Sequence, residues 1–395
     1  MPGPLHGYRI VDLTSMISGP SATMLLADQG AEVIKVENPR AGGDHTRLGA
    51  NRRGGFSASF LNNNRGKRSV ALDLKDPAAV DALLRVAAGA DVFVQNFRPG
   101  VAERMGLGEA AVRAVAPDIV YVSISGFGEA GPYAQKPVYD PLVQAVSGLA
   151  TVQAGSDEAP PRLVRTILPD KLTGIVAAQA ITAALLARAR GAPGQHVRLS
   201  MLDAVLAFLW GSDMGSQTFV EDAIPQQEAA SFIDLIYATA TGHISVAVQS
   251  DKEWEALTRA LERPEWLADP RFAFPALRQK HIDERLAMTQ AVLRTRGAEE
   301  WLERLTAHGV PCAPVLTRTQ LLSHPQVLAN GIVVETGHPA AGRLRQARPA
   351  ARFSETPAEP GRPAPALGAD TQEVLAAAGL SEAAMEALVP GRGAR

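Results

Sequence analysis

GYRIVDLTSMISGPSATMLLADQGAEVIKVENP (7–39) decides the fold. Within it YRIVDL (8–13) has strand character, GPSATMLLADQG (19–30) is helical and ends on glycine, and AEVIKVE (31–37) is a second strand. Two strands joined through a helix of this length form a βαβ unit, and such a crossover makes the strands parallel. The same grammar continues through SVALDL (69–74), a helix over 76–88, ADVFVQNF (90–97), a helix over 109–115, and DIVYVSISGFG (118–128). These runs are nearly continuous in Val, Ile and Leu, as strands covered on both faces require. The chain is therefore read as α/β with a largely parallel sheet.

Function in such sheets sits where strands give way to loops. Here those loops are TSMISGPS (14–21), ENPRAGGDHTR (37–47), DLKD (73–76), NFRPG (96–100) and SGFGEAGPY (125–133), rich in glycine, arginine and amides and suited to anions. After Val205 the pattern changes. A connector to about 225 precedes TGHISVAVQSDKEWEALTRAL (241–261), a strand and helix, then helices at 281–296 and 298–308 and the proline-punctuated GVPCAPVLT (309–317). This part reads as a smaller α+β domain over about 226–320. The proline-rich stretch Pro349–Pro365 is expected to run extended over a surface, before two short helices in TQEVLAAAGL and SEAAMEALV.

A length of 395 residues suits two domains, and 46% hydrophobic with 20% charged residues is ordinary for a globular enzyme. The net charge of −2 supplies no general attraction to nucleic acid or an anionic membrane. No apolar run is read as approaching the ~20 residues that span a bilayer. MPGPLHGYRIVDL (1–13) lacks the order of a secretory signal. Neither nucleic acid nor membrane is expected as a partner, and a cytoplasmic location follows. The single cysteine, Cys312, excludes an internal disulfide and a multi-cysteine zinc site, and its expected role is packing. No H-E-x-x-H or similar pair occurs among the histidines, so no metal is expected.

Three common chemistries lack their motifs. The first βα turn reads L-T-S-M-I-S-G-P (13–20), not G-x-G-x-x-G, which argues against dinucleotide hydride transfer. Neither a P-loop nor a G-x-S-x-G elbow is present. What remains is Asp170 in TILPDKLTG (166–174), at the mouth of a small-residue helix, and a set of polar loop residues. Asp170 is either an N-cap or a reacting group. Lys75, Arg98 and Arg104 suit phosphate oxygens, and Phe97 and Tyr139 offer faces for a purine; each is otherwise an ordinary surface charge or packing aromatic.

Residues 7–39, FLNNNRGKRSVALDLKDPA (60–78), ADVFVQNFRPGVAERMGL (90–107), GFGEAGPYAQKPVYDPLVQAVSGL (126–149) and GAPGQHVRLSMLDAV (191–205) together resemble family III CoA-transferases, the CaiB/BaiF group that includes formyl-CoA and carnitine-CoA transferases. The likeness is dense to residue 205, thins through the small domain, and returns in GVPCAPV and LGADTQEVL (367–375). It implies a Rossmann-like parallel-sheet large domain built from both chain ends: 1–205, a linker at 206–225, the small domain at 226–320, and 321–395 returning as linker and final part. It also implies an interlocked homodimer.

By this resemblance Asp170 is the nucleophile, and Ile17, Ser18, Asn38, Leu72, Lys75, Asn96, Phe97, Arg98, Arg104 and Tyr139 stand at CoA-contacting positions. Acyl-CoA and a small carboxylic acid are the implied substrates, with no prosthetic group. Formyl-CoA transferases carry arginine at Asn38, glutamine at Ile17 and lysine at Pro137, so Arg40 and Lys136 are candidate replacements for two contacts. Their glycine run has no counterpart in VEDAIPQQEAASFIDL (220–235), which disfavours formate and oxalate. Met214, Phe219, Phe232 and Tyr237 are candidates for an acyl pocket or for domain packing. An α-methylacyl-CoA racemase is the alternative, but it needs a histidine in a G-H-D segment where this chain has V-Y-D (138–140). A phenol of ordinary pKa, about 10, suits two-base proton transfer poorly. An aspartate of ordinary pKa, about 3.9, is ionised at pH 7 without help, which is the expectation for Asp170.

Overall fold

Six strands form one fully parallel sheet: β1 (Arg9–Asp12), β2 (Glu32–Glu37), β3 (Lys67–Ala71), β4 (Val92–Gln95), β5 (Val120–Ser125) and β6 (His196–Ser200). Their spatial order is β3-β2-β1-β4-β5-β6, so the winding reverses between β1 and β4 and a crevice opens at the carboxyl ends of those two strands. This computed structural model describes residues 2–220 and 235–388. The chain divides into two compact units, Met1–Ala229 with Gly331–Arg395, and Ala230–Asn330.

The larger unit carries helices α1 (Ser18–Asp28), α2 (Pro77–Ala88), α3 (Glu109–Val115), α4 (Asp140–Val146), α5 (Leu168–Ala189) and α6 (Met201–Trp210). Alternation along the strands builds two cores. Val11, Ile34, Phe93 and Tyr121 face α2 and α3, while Ile10, Val33, Val92 and Val120 face α1 and α5. The βαβ expectation for 7–39 is met, with β1 and β2 paired from Arg9↔Glu32 to Asp12↔Lys35. The third strand lies earlier than SVALDL suggested, because at Asp73 the chain turns, its carbonyl accepting the Asp76 N–H.

Helix α5 is 22 residues, long and apolar enough to cross a membrane by length and composition. That corrects the reading that no apolar run approaches such a length. Its Gly174, Ala177, Ala178, Ile181, Ala184 and Leu185 are buried, and the helix packs along α1 as a core element. Gly174 is needed there, since a Cβ on it would lie 2.1 Å from Ser21 Oγ and 2.9 Å from the Ser18 carbonyl oxygen. Residues 206–210, read from sequence as the start of a connector, are the second half of α6, where Leu209 is buried with Met201 and Val205.

The second unit has an antiparallel sheet of β7 (Ile236–Thr239), β8 (Gly242–Val246) and β9 (Cys312–Pro314), covered by α7 (Asp251–Ala260), α8 (Ile282–Leu293) and α9 (Ala298–Ala307). Trp254, Leu257, Phe272, Leu293 and Trp301 make its core, and half-buried Cys312 packs against it. This unit extends to Asn330, beyond the 320 taken from sequence, while the boundary at 226 lies outside the described residues.

The chain then returns to the larger unit. Asp370 accepts the Ser69 N–H at 2.8 Å, and Thr371 Oγ1 accepts the Ala71 N–H at 3.0 Å. Helix α10 (Thr371–Ala377) inserts Val374 and Leu375 into the core beside α2. The free edge of β3 is thereby covered by the end of the chain, and the large unit is built from both chain ends.

Candidate active site

The loop from β1 to α1 enters the crevice, and almost every residue in it is clamped. Thr14 donates its N–H and hydroxyl to Asp12 Oδ1 at 2.8 and 2.5 Å, and its carbonyl accepts from Lys35 Nζ at 2.8 Å. Across the switch point, Asn96 Oδ1 accepts the Ser15 N–H at 3.0 Å and its amide donates to the Ser15 carbonyl at 2.8 Å. Met16 has φ of 70° and donates its N–H to Asp44 Oδ1 at 3.3 Å. A non-glycine residue in the left-handed region persists only where its surroundings enforce it.

The enforcement comes from buried charge. Lys35 and Lys67 are fully buried in β2 and β3; Lys35 pairs with Asp44 at 2.9 Å and Lys67 with Asp12 at 3.0 Å. Lys67 also donates to the Pro20 carbonyl and Asn64 Oδ1, each at 2.9 Å. Burial alone would raise the Asp12 pKa, but Lys67 and Lys35 outweigh it and hold the carboxyl well below the usual range. Burial draws Lys67 down to about 8, against the pull of Asp12.

Asp170 is the third residue of α5, and Ile167 occupies the cap position. The N-cap reading is therefore corrected. The Asp170 N–H donates to Asp140 Oδ2 at 3.1 Å. Asp140 is itself buried and accepts from Gln144 Nε2 at 2.6 Å, while Gln144 Oε1 accepts the Val164 N–H at 2.9 Å. The Asp170 carboxylate accepts hydrogen bonds from the N–H and hydroxyl of Ser18, the first residue of α1. Two helix N-termini thus converge on one carboxylate. Burial and then the Asp140 charge raise its pKa to about 6, with Ser18 opposing. This corrects the expectation of an ordinary, low pKa: at pH 7 about nine-tenths is ionised, and the group is more basic than a free aspartate.

The other residues singled out from sequence fall into three groups. Ile17, Ser18 and Asn96 gather with Asp170 around the switch-point loop, where Ile17 caps α1 without a side-chain bond. Asn38, Arg40 and Lys75 lie at the ends of β2 and β3. Asn38 Oδ1 accepts the Arg40 N–H at 2.9 Å, the exposed Arg40 guanidinium pairs with Asp73 at 2.7 Å, and the Lys75 N–H donates to the same Asp73 at 3.2 Å. Leu72 is fully buried, so a ligand meets only its main chain.

Third come the residues after β4 and β5. Phe97 is half-buried against the core, Arg98 and Arg104 are exposed, Lys136 Nζ lies 3.3 Å from the Tyr133 ring centroid, and Tyr139 is 67% exposed at the cap of α4. Among the described residues Lys75, Arg98 and Arg104 form no ion pair, which leaves three cations available to an anion. Of the acyl-pocket candidates, Met214 packs beside Met201 and Val205, Phe219 is exposed, Tyr237 is buried in the core of the second unit, and Phe232 lies outside the described residues. Sequence reading missed Asp140, Gln144, Asp44, Lys35 and Lys67. For Lys35 the only signal was a charge in the middle of an apolar strand, and for Lys67, first in KRSVA, there was none.

A parallel sheet with unpaired cations in its strand-end loops and a raised-pKa carboxylate at a helix start suits chemistry on an anionic ligand. A sequence profile described as CoA-transferase family III matches residues 5–371, and the chain belongs to that family. It is 33% identical over 388 residues to the human succinyl-CoA:glutarate CoA-transferase, covering 94% of this chain and 85% of that protein. It is 34% identical to the acetyl-CoA:oxalate CoA-transferase of Acetobacter aceti, covering 85% and 86%. A crystal structure of a CaiB/BaiF family protein from Brucella suis aligns with a TM-score of 0.82 at 27% identity, covering 96% of this chain and all of that one, 100%. The protein is a CoA-transferase, and the racemase alternative is not favoured.

Proposed function

We propose that the chain moves CoA from an acyl-CoA to a free carboxylic acid through covalent intermediates on Asp170. The observation that carries this is the half-buried Asp170 carboxylate, held by Ser18 and facing the Asp140 charge. Asp170 attacks the thioester carbonyl, the C–S bond breaks, and CoA thiolate leaves a mixed aspartyl anhydride. The thiolate then attacks the aspartyl carbon, freeing the donor acid and leaving an aspartyl-CoA thioester. The acceptor carboxylate repeats these steps in reverse order and restores Asp170. The raised pKa gives a stronger nucleophile that is still mostly ionised at pH 7. The positive ends of the α1 and α5 dipoles favour the developing oxyanions.

Lys75, Arg98 and Arg104 take the CoA phosphates in this reading, with Phe97 or Tyr139 against the adenine and Arg40 or Lys136 as further contacts. Succinyl-CoA as donor and glutarate as acceptor are the first pair to assay, because the human relative carries both in its name. The working assembly is an interlocked homodimer in the cytoplasm, and a monomer in light scattering would contradict it. The mechanism is tested by mixing the protein with succinyl-CoA, quenching with hydroxylamine and mapping peptides by mass. A hydroxamate on Asp170 is the expected result; transfer that proceeds with no adduct at Asp170 overturns it.

A further inference from the structure

A line of hydrogen bonds crosses the sheet and ends on the NFRPG loop. The Phe97 N–H donates to Gln95 Oε1 at 2.7 Å, and Gln95 Nε2 donates to Ser123 Oγ at 3.0 Å. Ser123 Oγ lies 2.8 Å from His196 Nε2, and His196 Nδ1 lies 2.7 Å from Glu109 Oε2. The four side chains come from β4, β5, β6 and α3, so the line runs across three neighbouring strands. Only one arrangement of protons lets every member donate and accept in turn. In it the Ser123 hydroxyl donates to His196 Nε2, and the His196 Nδ1–H donates to Glu109.

The Ser123, His196 and Glu109 spacing is that of a hydrolytic triad, but the setting is wrong for one. Ser123 is buried in a central strand, its hydroxyl is engaged on both sides, and the Tyr121 ring stands edge-on to His196 with centroids 4.9 Å apart. Glu109 is fixed in turn: burial pushes its pKa up, but Arg113, bonded at 2.9 Å, and His196 outweigh it and keep it ionised. The far end of the line is therefore an anchored anion, and the near end is a main-chain N–H one residue from Arg98.

We infer that Gln95, Ser123, His196 and Glu109 are positioning residues for CoA, acting by fixing the main chain at Phe97 and through it the Arg98 side of the loop. Asn96 ties that loop to Ser15 on the β1 side, and the Gln95 line ties it to the sheet on the other. Removing the Ser123 hydroxyl takes the acceptor from Gln95 Nε2 and the partner from His196 Nε2, so Gln95 loses its anchor to the sheet and no longer fixes the Phe97 N–H. This inference rests on the reading that the NFRPG loop holds CoA.

The test is calorimetric binding of free coenzyme A to the full-length protein and to Ser123→Ala, Ser123→Thr, His196→Gln and Arg98→Ala, with melting temperatures measured alongside. Ser123→Ala should weaken CoA binding about tenfold, and Ser123→Thr, which keeps the hydroxyl, should stay within about twofold of wild type. His196→Gln, which shortens the reach to Glu109, should weaken binding in the same direction if Ser123→Ala fails to fold. Arg98→Ala tests the underlying reading. If Arg98→Ala weakens binding while Ser123→Ala lowers the melting temperature at wild-type affinity, the line is merely structural and the inference falls alone. If Arg98→Ala binds CoA as wild type does, the loop reading falls and takes the inference with it.

Discussion

Replacing Asp170 with asparagine should make the protein more stable at neutral pH while removing its activity. The folded carboxyl titrates near 6, against an ordinary value of 3.8. Two pKa units correspond to about 3 kcal/mol, and solvent around a half-buried group reduces this to about 2 kcal/mol. The sign follows from proton counts. Between pH 3.8 and 6 the folded state holds more protons than the unfolded chain, so wild-type stability falls as pH rises through that window and stays at the lower level above it. Asparagine has no charge to bury beside Asp140, and its side-chain oxygen still accepts from Ser18. Urea unfolding of both proteins at pH 7.5 should show the variant ahead by about 2 kcal/mol with an unchanged m-value, and at pH 5 the gap should shrink to about half. A gap that does not change with pH, or a variant less stable at pH 7.5, would refute the account of strain at this carboxylate.

The acid limb of turnover should follow Asp170, with the rate falling as pH drops through about 6. Asp140→Asn removes the like charge but keeps an acceptor for the Asp170 N–H, so it should move that limb to lower pH; a pH–rate profile reads this directly. Gly174→Ala places a methyl 2.1 Å from Ser21 Oγ and forces α1 away from α5, outweighing the better helix propensity of alanine by about 1–3 kcal/mol in urea unfolding, with a loss of turnover. Lys67→Met strands the fully buried Asp12 and should cost about 3–5 kcal/mol, measured by the same unfolding assay.

The parallel sheet was legible because its strands announce themselves by composition and its crossovers by helical period. The register slip at 67–71 was not, since Leu72 continues the apolar pattern into a turn set by Asp73. Asp170 could be located from the segments around it, but its chemistry could not. Ser18, Asp140 and Asp170 are remote in sequence, and no local pattern says that the first lends its donors and the second its charge. Lys35 and Lys67 were hidden for a related reason. A lysine in a strand reads as an outward-facing residue, and only the tertiary arrangement shows that Asp12 and Asp44 receive it inside. The 22-residue helix misled in the other direction, because Asp170 and Lys171 at its start obscured how long its apolar run is.

The covered edge of β3 also sets an order of events during synthesis. Ser69 and Ala71 wait for Asp370 and Thr371, at separations of 301 and 300 residues, so the large unit stays unfinished until α10 has left the ribosome. The second unit, whose residues are contiguous, has all its chain available earlier. A nascent chain therefore carries a complete small unit beside a sheet with one raw edge, and a stop codon before residue 370 would release a protein whose β3 is ready to pair with whatever strand it meets.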